Sequence, residues 1–352
     1  MKNKMIWSVL IHLEMSMWDN NTPVFDDKVW DEILNECVQS GVNQIVLDLG
    51  RGVKYGSHPE LAKDWSWSRN RVRKEVKRLR ELGIELIPKL NFSATHDMWL
   101  LDYERMLSTP VYYRVCRDLI SEVAELFDHP RYIHLGMDEE DAKHAVFSQL
   151  AVYRHGDLLW HDLQFLCDCV RDAGSKPWIW ADHCLNAPAE FKKRMDWEDI
   201  VFSPWMYNSI KPEHRTPVSS RPAYVRYYAR EPFASMNIQY VEDDPFIVNF
   251  INKIPEFIGE NYTMVPCVSS INQCIYNAED MLDYFRANAS SDSLIGFMTA
   301  PWLATTEENK QRIINDIRWY KQAIDKVYNG IETPEEEKVN IAYDTLAVEV
   351  VY

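Results

Sequence analysis

Tyr132-Ile133-His134-Leu135-Gly136-Met137-Asp138-Glu139-Glu140 reads as an apolar strand that breaks off at a glycine and ends in adjacent carboxylic acids. Amphipathic helices flank it on both sides. Thr109-Pro110 opens the first, with proline at the first helical position, and Val115, Leu119, Val123 and Leu126 share its apolar face. Leu159, Leu163, Leu166 and Val170 line the second, which Gly174 stops before another strand at 177–181. The same unit recurs toward the N-terminus. A helix over 27–41 carries Trp30, Ile33, Leu34, Cys37 and Val38 on one side, ends at Gly41 and runs into a strand at 44–49. Ser68 can cap a helix bearing Val72, Val76, Leu79 and Leu82, which Gly83 ends before an apolar run at 84–90.

Short apolar strands alternating with amphipathic helices imply βα units and a parallel sheet. Further strands are predicted at 200–205, 263–268 and 294–299, closed by a helix carrying Ile313, Ile317, Tyr320 and Ile324. With 4–13 as the first strand the total is eight. The fold class expected is therefore α/β, a (β/α)8 TIM barrel over 1–329, with a short C-terminal extension over 330–352 that adds an edge strand at 345–352. An open doubly wound sheet is the alternative, but no glycine-rich phosphate turn follows any strand. Residues 206–260 lack clear strand periodicity apart from a short strand expected at 238–241.

The 352 residues carry a net charge of −16 and 46% hydrophobic content, which suits a sizeable core. Nucleic acid and anionic membrane are disfavoured as partners, because both need clustered positive charge to offset their own. The one basic run, over 69–80, is interleaved with Val72, Val76 and Leu79 and reads as a solvated helix face. Seven cysteines with no CxxC pair or zinc-ligand spacing predict no disulfide framework. His12 and Glu14 interrupt the apolar N-terminal stretch and no small-residue cleavage site follows, so it reads as a strand rather than a leader. A cytoplasmic location is favoured on these grounds; a trimmed leader would make it periplasmic or secreted. Nothing approaches the length of a membrane span. No cofactor is expected, and the sequence does not specify an oligomeric state.

In a barrel of this kind the chemistry sits at the C-terminal ends of the strands. Those ends are polar and aromatic here. Strand two ends at Asp48, strand three at Lys89 and Asn91 with His96 beyond, strand four at Asp138-Glu139, and strand five at Trp180 and Asp182. Strand six supplies Trp205 and Tyr207, and strand eight Trp302. Flat aromatic walls with a few acids and amides suit a neutral sugar, whose C–H faces are apolar and whose rim is polar. Trp30, Trp160 and Trp319 fall in helices and are expected to pack inward. Consecutive strand residues point to opposite faces, so Asp138 and Glu139 reach one pocket only if the backbone leaves strand geometry, as Gly136 helps it do. Glu140 is then expected to point away.

His134-Leu135-Gly136-Met137-Asp138-Glu139 resembles the fourth-strand motif of the glycoside hydrolase family 20 β-N-acetylhexosaminidases, a histidine or asparagine followed by x-Gly-x-Asp-Glu. Gly83-Ile84-Glu85-Leu86-Ile87-Pro88 is similar to that family's Gly-Ile-x-x-Ile-Pro. Trp180-Ala181-Asp182 is similar to its strand-five tryptophan and acid, and Pro301-Trp302 to its strand-eight tryptophan. The resemblance spans residues 4–328. It implies Asp138 as the group that holds the substrate's 2-acetamido substituent and Glu139 as general acid, with the acetamido oxygen as nucleophile and configuration retained. His134, Asp48, Asn91, His96, Trp180, Asp182, Trp205 and Trp302 are then candidate substrate-binding residues, and Tyr207 or Tyr276 is the candidate for the tyrosine that pins the acetamido group. An oligosaccharide or glycoconjugate is the implied substrate. Two departures stand out: Lys89 replaces an acid after the third-strand proline, and Ser93-Ala94-Thr95-His96 stands where Pro-Gly-His is usual.

Three other readings compete. Asp182 or Glu242 could serve as a protein nucleophile opposite Glu139. The barrel could bind glycans without cleaving them. Convergence of His134, His96 and His183 on a metal ranks lower, because no HxH or HxxxH spacing supports it, and no metal ligand is assigned.

Overall fold

A computed structural model describes residues 5–15, 23–145, 152–216 and 245–341. The strands expected at 238–241 and 345–352, and Glu242, lie outside the described residues. Among the described residues there are nine strands in chain order: β1 (Ile6–His12), β2 (Gln44–Asp48), β3 (Glu85–Lys89), β4 (Tyr132–His134), β5 (Lys176–Trp180), β6 (Val201–Ser203), β7 (Thr263–Met264), β8 (Cys267–Val268) and β9 (Gly296–Thr299). Every pairing is parallel.

β7 and β8 are two halves of one barrel strand, and the expected segment 263–268 holds both. Pro266 between them has no N–H to give the ladder. Its neighbours keep pairing nonetheless: Val265 N–H donates to Phe202 O at 2.8 Å and Cys267 N–H to Pro204 O at 2.9 Å, while Met298 N–H donates to Pro266 O at 2.9 Å. This segment therefore binds β6 on one edge and β9 on the other, and β9 pairs with β1. The ring of eight strand positions closes. Gly296 is required at that seam, because a Cβ there would lie 2.4 Å from Ile6 Cβ and 2.5 Å from Ile6 O.

Period-two alternation divides the strand residues between two cores. Ile6, Leu10, Val46, Ile87, Trp178, Val201, Cys267 and Met298 fill the barrel interior. Val9, Ile11, Ile45, Leu47, Leu86, Ile133, Ile179, Phe202 and Phe297 face outward against the helices. Those helices form where local signals place them. The Asp26 carboxylate caps α1 (Asp27–Gln39), Ser68 Oγ caps α2 (Arg69–Glu81) and Thr109 Oγ1 caps α3 (Pro110–Leu126). Trp30, Trp160 and Trp319 are buried, whereas Val38 on the α1 face is 44% exposed. The basic face of α2 is solvated and ion-paired, with Arg71 on Asp27, Arg73 on Glu125, Arg78 on Asp31 and Arg80 on Asp128.

The ill-defined stretch before strand seven contains a helix over Pro245–Gly259 that buries Ile247, Phe250, Ile254, Phe257 and Ile258. Its apolar spacing is helical, but Pro245 and Pro255 obscure it. Past Gly330 the chain is mostly exposed to Lys338, then returns to bury Ile341, with Gln322 holding Glu337 O and Val339 N–H. All seven cysteines are buried and unbridged. Among the described residues no helix is long and apolar enough to cross a membrane.

Candidate active site

β4 ends at His134, three residues earlier than its apolar run implies, because the backbone turns out of strand geometry. Gly136, Met137 and Glu139 all have positive φ, at 71°, 66° and 52°. A Cβ on Gly136 would also meet Asn91 Oδ1 at 2.0 Å, so only glycine fits. This bend brings consecutive acids to one histidine. Asp138 Oδ2 lies 3.7 Å and Glu139 Oε2 3.5 Å from the same atom, His96 Nε2.

The loop after β3 builds the support. Asn91 Nδ2 donates to Asp138 Oδ1 at 2.8 Å, while Asn91 Oδ1 accepts from Ser93 N–H and Met137 N–H. Ser93 Oγ donates to Asp138 O at 2.6 Å, and Thr95 Oγ1 donates to Glu139 O at 3.2 Å and contacts His96 Nδ1 at 2.8 Å. The Ser-Ala-Thr-His departure thus supplies hydroxyls that hold both acid-bearing peptide units. Glu140 points away and meets buried Arg154, with Arg154 Nε on Oε1 and Nη2 on Oε2 at 2.7 Å each. Burial alone would raise the Glu140 carboxyl, but the guanidinium outweighs it and holds the pKa below the usual range.

Asp182 bridges the acids to the aromatic wall. Its Oδ1 accepts Glu139 N–H at 3.3 Å and its Oδ2 accepts Trp205 Nε1–H at 2.7 Å. Trp205 stacks on Tyr207 with centroids 5.2 Å apart, and Tyr207 meets Trp302 at 6.2 Å. Burial, then the nearby Asp138 charge, push Asp182 up to about 7. The folded protein therefore holds a proton that the unfolded chain releases near the ordinary aspartate value. Stability tied to Asp182 is complete below about pH 4 and is lost as pH rises toward 7. Asp182→Asn is expected to flatten the fall of melting temperature across that window, measured by thermal scans at stepped pH; an unchanged slope would refute the assignment.

His12, Asp48, Lys89 and His134 end β1 to β4 in mutual register and are buried. Lys89 Nζ lies 2.7 Å from Asp48 Oδ2, and His12 Nδ1 3.2 Å from the same oxygen. Burial favours the neutral acid, but the Lys89 ammonium and His12 outweigh it and hold Asp48 at about 2. His134 is packed between Trp178 and Trp180, its pKa driven well below the ordinary value by burial and by Lys89. Asp48, His134 and Trp180 therefore sit inside the barrel, beneath the partly exposed Trp205, Tyr207 and Trp302. Lys89 occupies the same interior layer and is spent on Asp48.

Tyr276 does not join the group: it is 38% exposed and stacks on His214 at 4.0 Å, since it lies at the start of the helix Asn277–Asn288 rather than at a strand end. The three histidines weighed for a metal are also separated. His134 faces indoles in the barrel, His183 packs on Trp160, and His96 alone reaches the acids. Among the described residues, His96, Asp138 and Glu139 are the one group whose donor atoms all lie within 4.8 Å of one another. One oxygen of Asp138 in this group is already held by Asn91 Nδ2 at 2.8 Å. Two neighbours escaped sequence reading: His144, whose Nε2 lies 3.3 Å from Glu139 Oε1, and Arg154. His144 stands five residues past Glu139, beyond the acidic run that ends at Asp141, a spacing with no helical or strand meaning there.

No protein-family model matches the chain, and no curated protein matches it by sequence. Solved structures do. A β-N-acetylhexosaminidase from Bacteroides fragilis superposes with a TM-score of 0.56 at 11% identity, covering 90% of this chain and 65% of that one. The family 20 β-N-acetylhexosaminidase from Streptomyces coelicolor gives 0.58 at 10% identity, covering 91% and 64%. Dispersin B gives 0.58 at 12% identity, covering 93% of this chain and 100% of that one. The chain spans just under two thirds of the first two structures. It shares the (β/α)8 barrel fold of the glycoside hydrolase family 20 β-N-acetylhexosaminidases.

Proposed function

We propose that the protein is a glycoside hydrolase that removes a terminal β-linked N-acetylhexosamine from an oligosaccharide or glycoconjugate. One observation carries the reading: Asp138 and Glu139, adjacent in sequence, both direct a carboxylate oxygen at His96 beside a wall of Trp205, Tyr207 and Trp302. Asp138, fixed by Asn91, receives the acetamido N–H and faces the positive charge that develops as the acetamido oxygen attacks the anomeric carbon. Glu139 protonates the leaving oxygen, then takes a proton from the water that opens the oxazolinium with retention. Asp182 is poorly suited to act as a protein nucleophile, since both its oxygens accept hydrogen bonds and it holds a proton up to about pH 7. Lys89, which stands where the family usually carries an acid, is paired with Asp48 inside the barrel.

Aryl β-glycosides that differ only at the 2-position test this reading. The 2-acetamido compounds should be cleaved with retained configuration and the 2-hydroxy compounds left intact. Cleavage of plain glucosides or galactosides alone would remove the acetamido mechanism.

A further inference from the structure

Glu139 is held between two imidazoles. Its Oε2 faces His96 Nε2 at 3.5 Å, and its Oε1 faces His144 Nε2 at 3.3 Å. His144 sets its Nδ1 2.8 Å from Asp141 Oδ1, and the same oxygen accepts the His144 backbone N–H at 2.9 Å. The ring is thus aimed by one carboxylate at another. The short helix that carries it, Ala142–Ala145, departs directly from Glu140, whose ion pair with Arg154 is 0% exposed on both sides. A buried anchor one residue from the acid fixes where His144 can go.

We propose that His144 is a positioning residue for Glu139: Asp141 orients the imidazole, and His144 Nε2 and Glu139 Oε1 share one proton that keeps the acid supplied. This rests on the reading of Glu139 as general acid. With the shared proton on Glu139, the bond from the anomeric carbon to the leaving oxygen breaks as that proton passes to the oxygen, and an alcohol departs. Glu139 is then a carboxylate and His144 neutral. The water that opens the oxazolinium loses a proton to Glu139, and the pair ends as it began.

The groups around the pair favour retention of that proton. His144 faces Glu139 and Asp141; Glu139 also faces His96 and, through its N–H, Asp182, with Asp138 adjacent. Glu140 and Arg154 beyond them neutralise each other. Burial alone lowers the His144 pKa, but the hydrogen bonds to Asp141 and Glu139 outweigh it and push it up to about 10. A lone carboxylate would have lost its proton well below neutrality.

The test compares His144→Gln with wild type on a methyl and a dinitrophenyl β-N-acetylglucosaminide, at about pH 5 and about pH 7.5. The methyl glycoside needs an acid and the dinitrophenyl one does not. The variant should lose at least about tenfold in kcat on the methyl glycoside at the higher pH, recover much of it at the lower pH or with added imidazole, and keep dinitrophenyl turnover. Equal loss on both substrates at both pH values, or no loss, overturns the proposal. An NMR titration of the His144 ring reads the pair without any substrate: its midpoint should fall in Glu139→Gln, and an unchanged midpoint overturns the shared proton. If the wild type cleaves neither glycoside, the functional reading fails while the NMR arm still judges the pair.

Discussion

On the proposed reading, Glu139→Gln should lower turnover of alkyl β-N-acetylhexosaminides by about 10²–10⁴-fold, the usual worth of a positioned general acid, and leave sugar affinity nearly intact. The amide can accept and donate hydrogen bonds toward His96 and His144 but has no transferable proton. Dinitrophenyl glycosides, which leave without protonation, should lose far less in the first step. The deficit should also persist at low pH, because there is no acid to reprotonate; this separates it from His144→Gln, whose deficit closes as pH falls. Steady-state kinetics across leaving groups, with calorimetric binding of N-acetylglucosamine, checks both halves. A variant that loses affinity and turnover in parallel would place Glu139 in substrate binding instead of acid catalysis.

Arg154→Met should destabilise the fold by about 3–5 kcal/mol, because it leaves Glu140 as a buried carboxylate without its cation. Arg154 is fully buried, pairs with Glu140 through its backbone N–H, Nε and Nη2, and reaches Asp162 at 3.5 Å. Glu140 Oε2 also accepts Ala94 N–H at 3.0 Å, between the Ser93 and Thr95 hydroxyls that hold the Asp138 and Glu139 carbonyls. The loss therefore reaches the acids as well as the scaffold. Urea unfolding should show a lower midpoint with little change in slope. Arg154→Met combined with Glu140→Gln should recover a good part of the loss, since the uncompensated charge is then gone. If the double variant is as unstable as the single, the cost lies in packing rather than in the stranded charge.

The strands, their alternation and their capped helices were legible because each signal is local. Ile45 and Leu47 point one way and Val46 the other whatever they pack against, and Ser68 caps α2 from within a single turn. The helix over Pro245–Gly259 was hidden by its two prolines, although its apolar spacing is regular. Candidate acids were legible for the same local reason: a strand, a glycine and two carboxylates in a row. Their neighbours were harder to read. Tyr276 looked as suitable as Tyr207, yet only Tyr207 contacts the indoles of the site.

From its sequence alone the chain specifies eight strand positions, the order of helices between them, and an Asp138-Glu139 pair at the mouth of the fourth. Periodicity, caps and a glycine at an abrupt turn act over a few residues and need no distant partner. Tertiary structure alone determines that Asp48, Lys89 and His134 fall inside the barrel, that Asp182 grips the Glu139 N–H, and that Arg154 is buried on Glu140. Those outcomes depend on which charges meet across loops and how much water they lose, and neither quantity is set by neighbours in the chain.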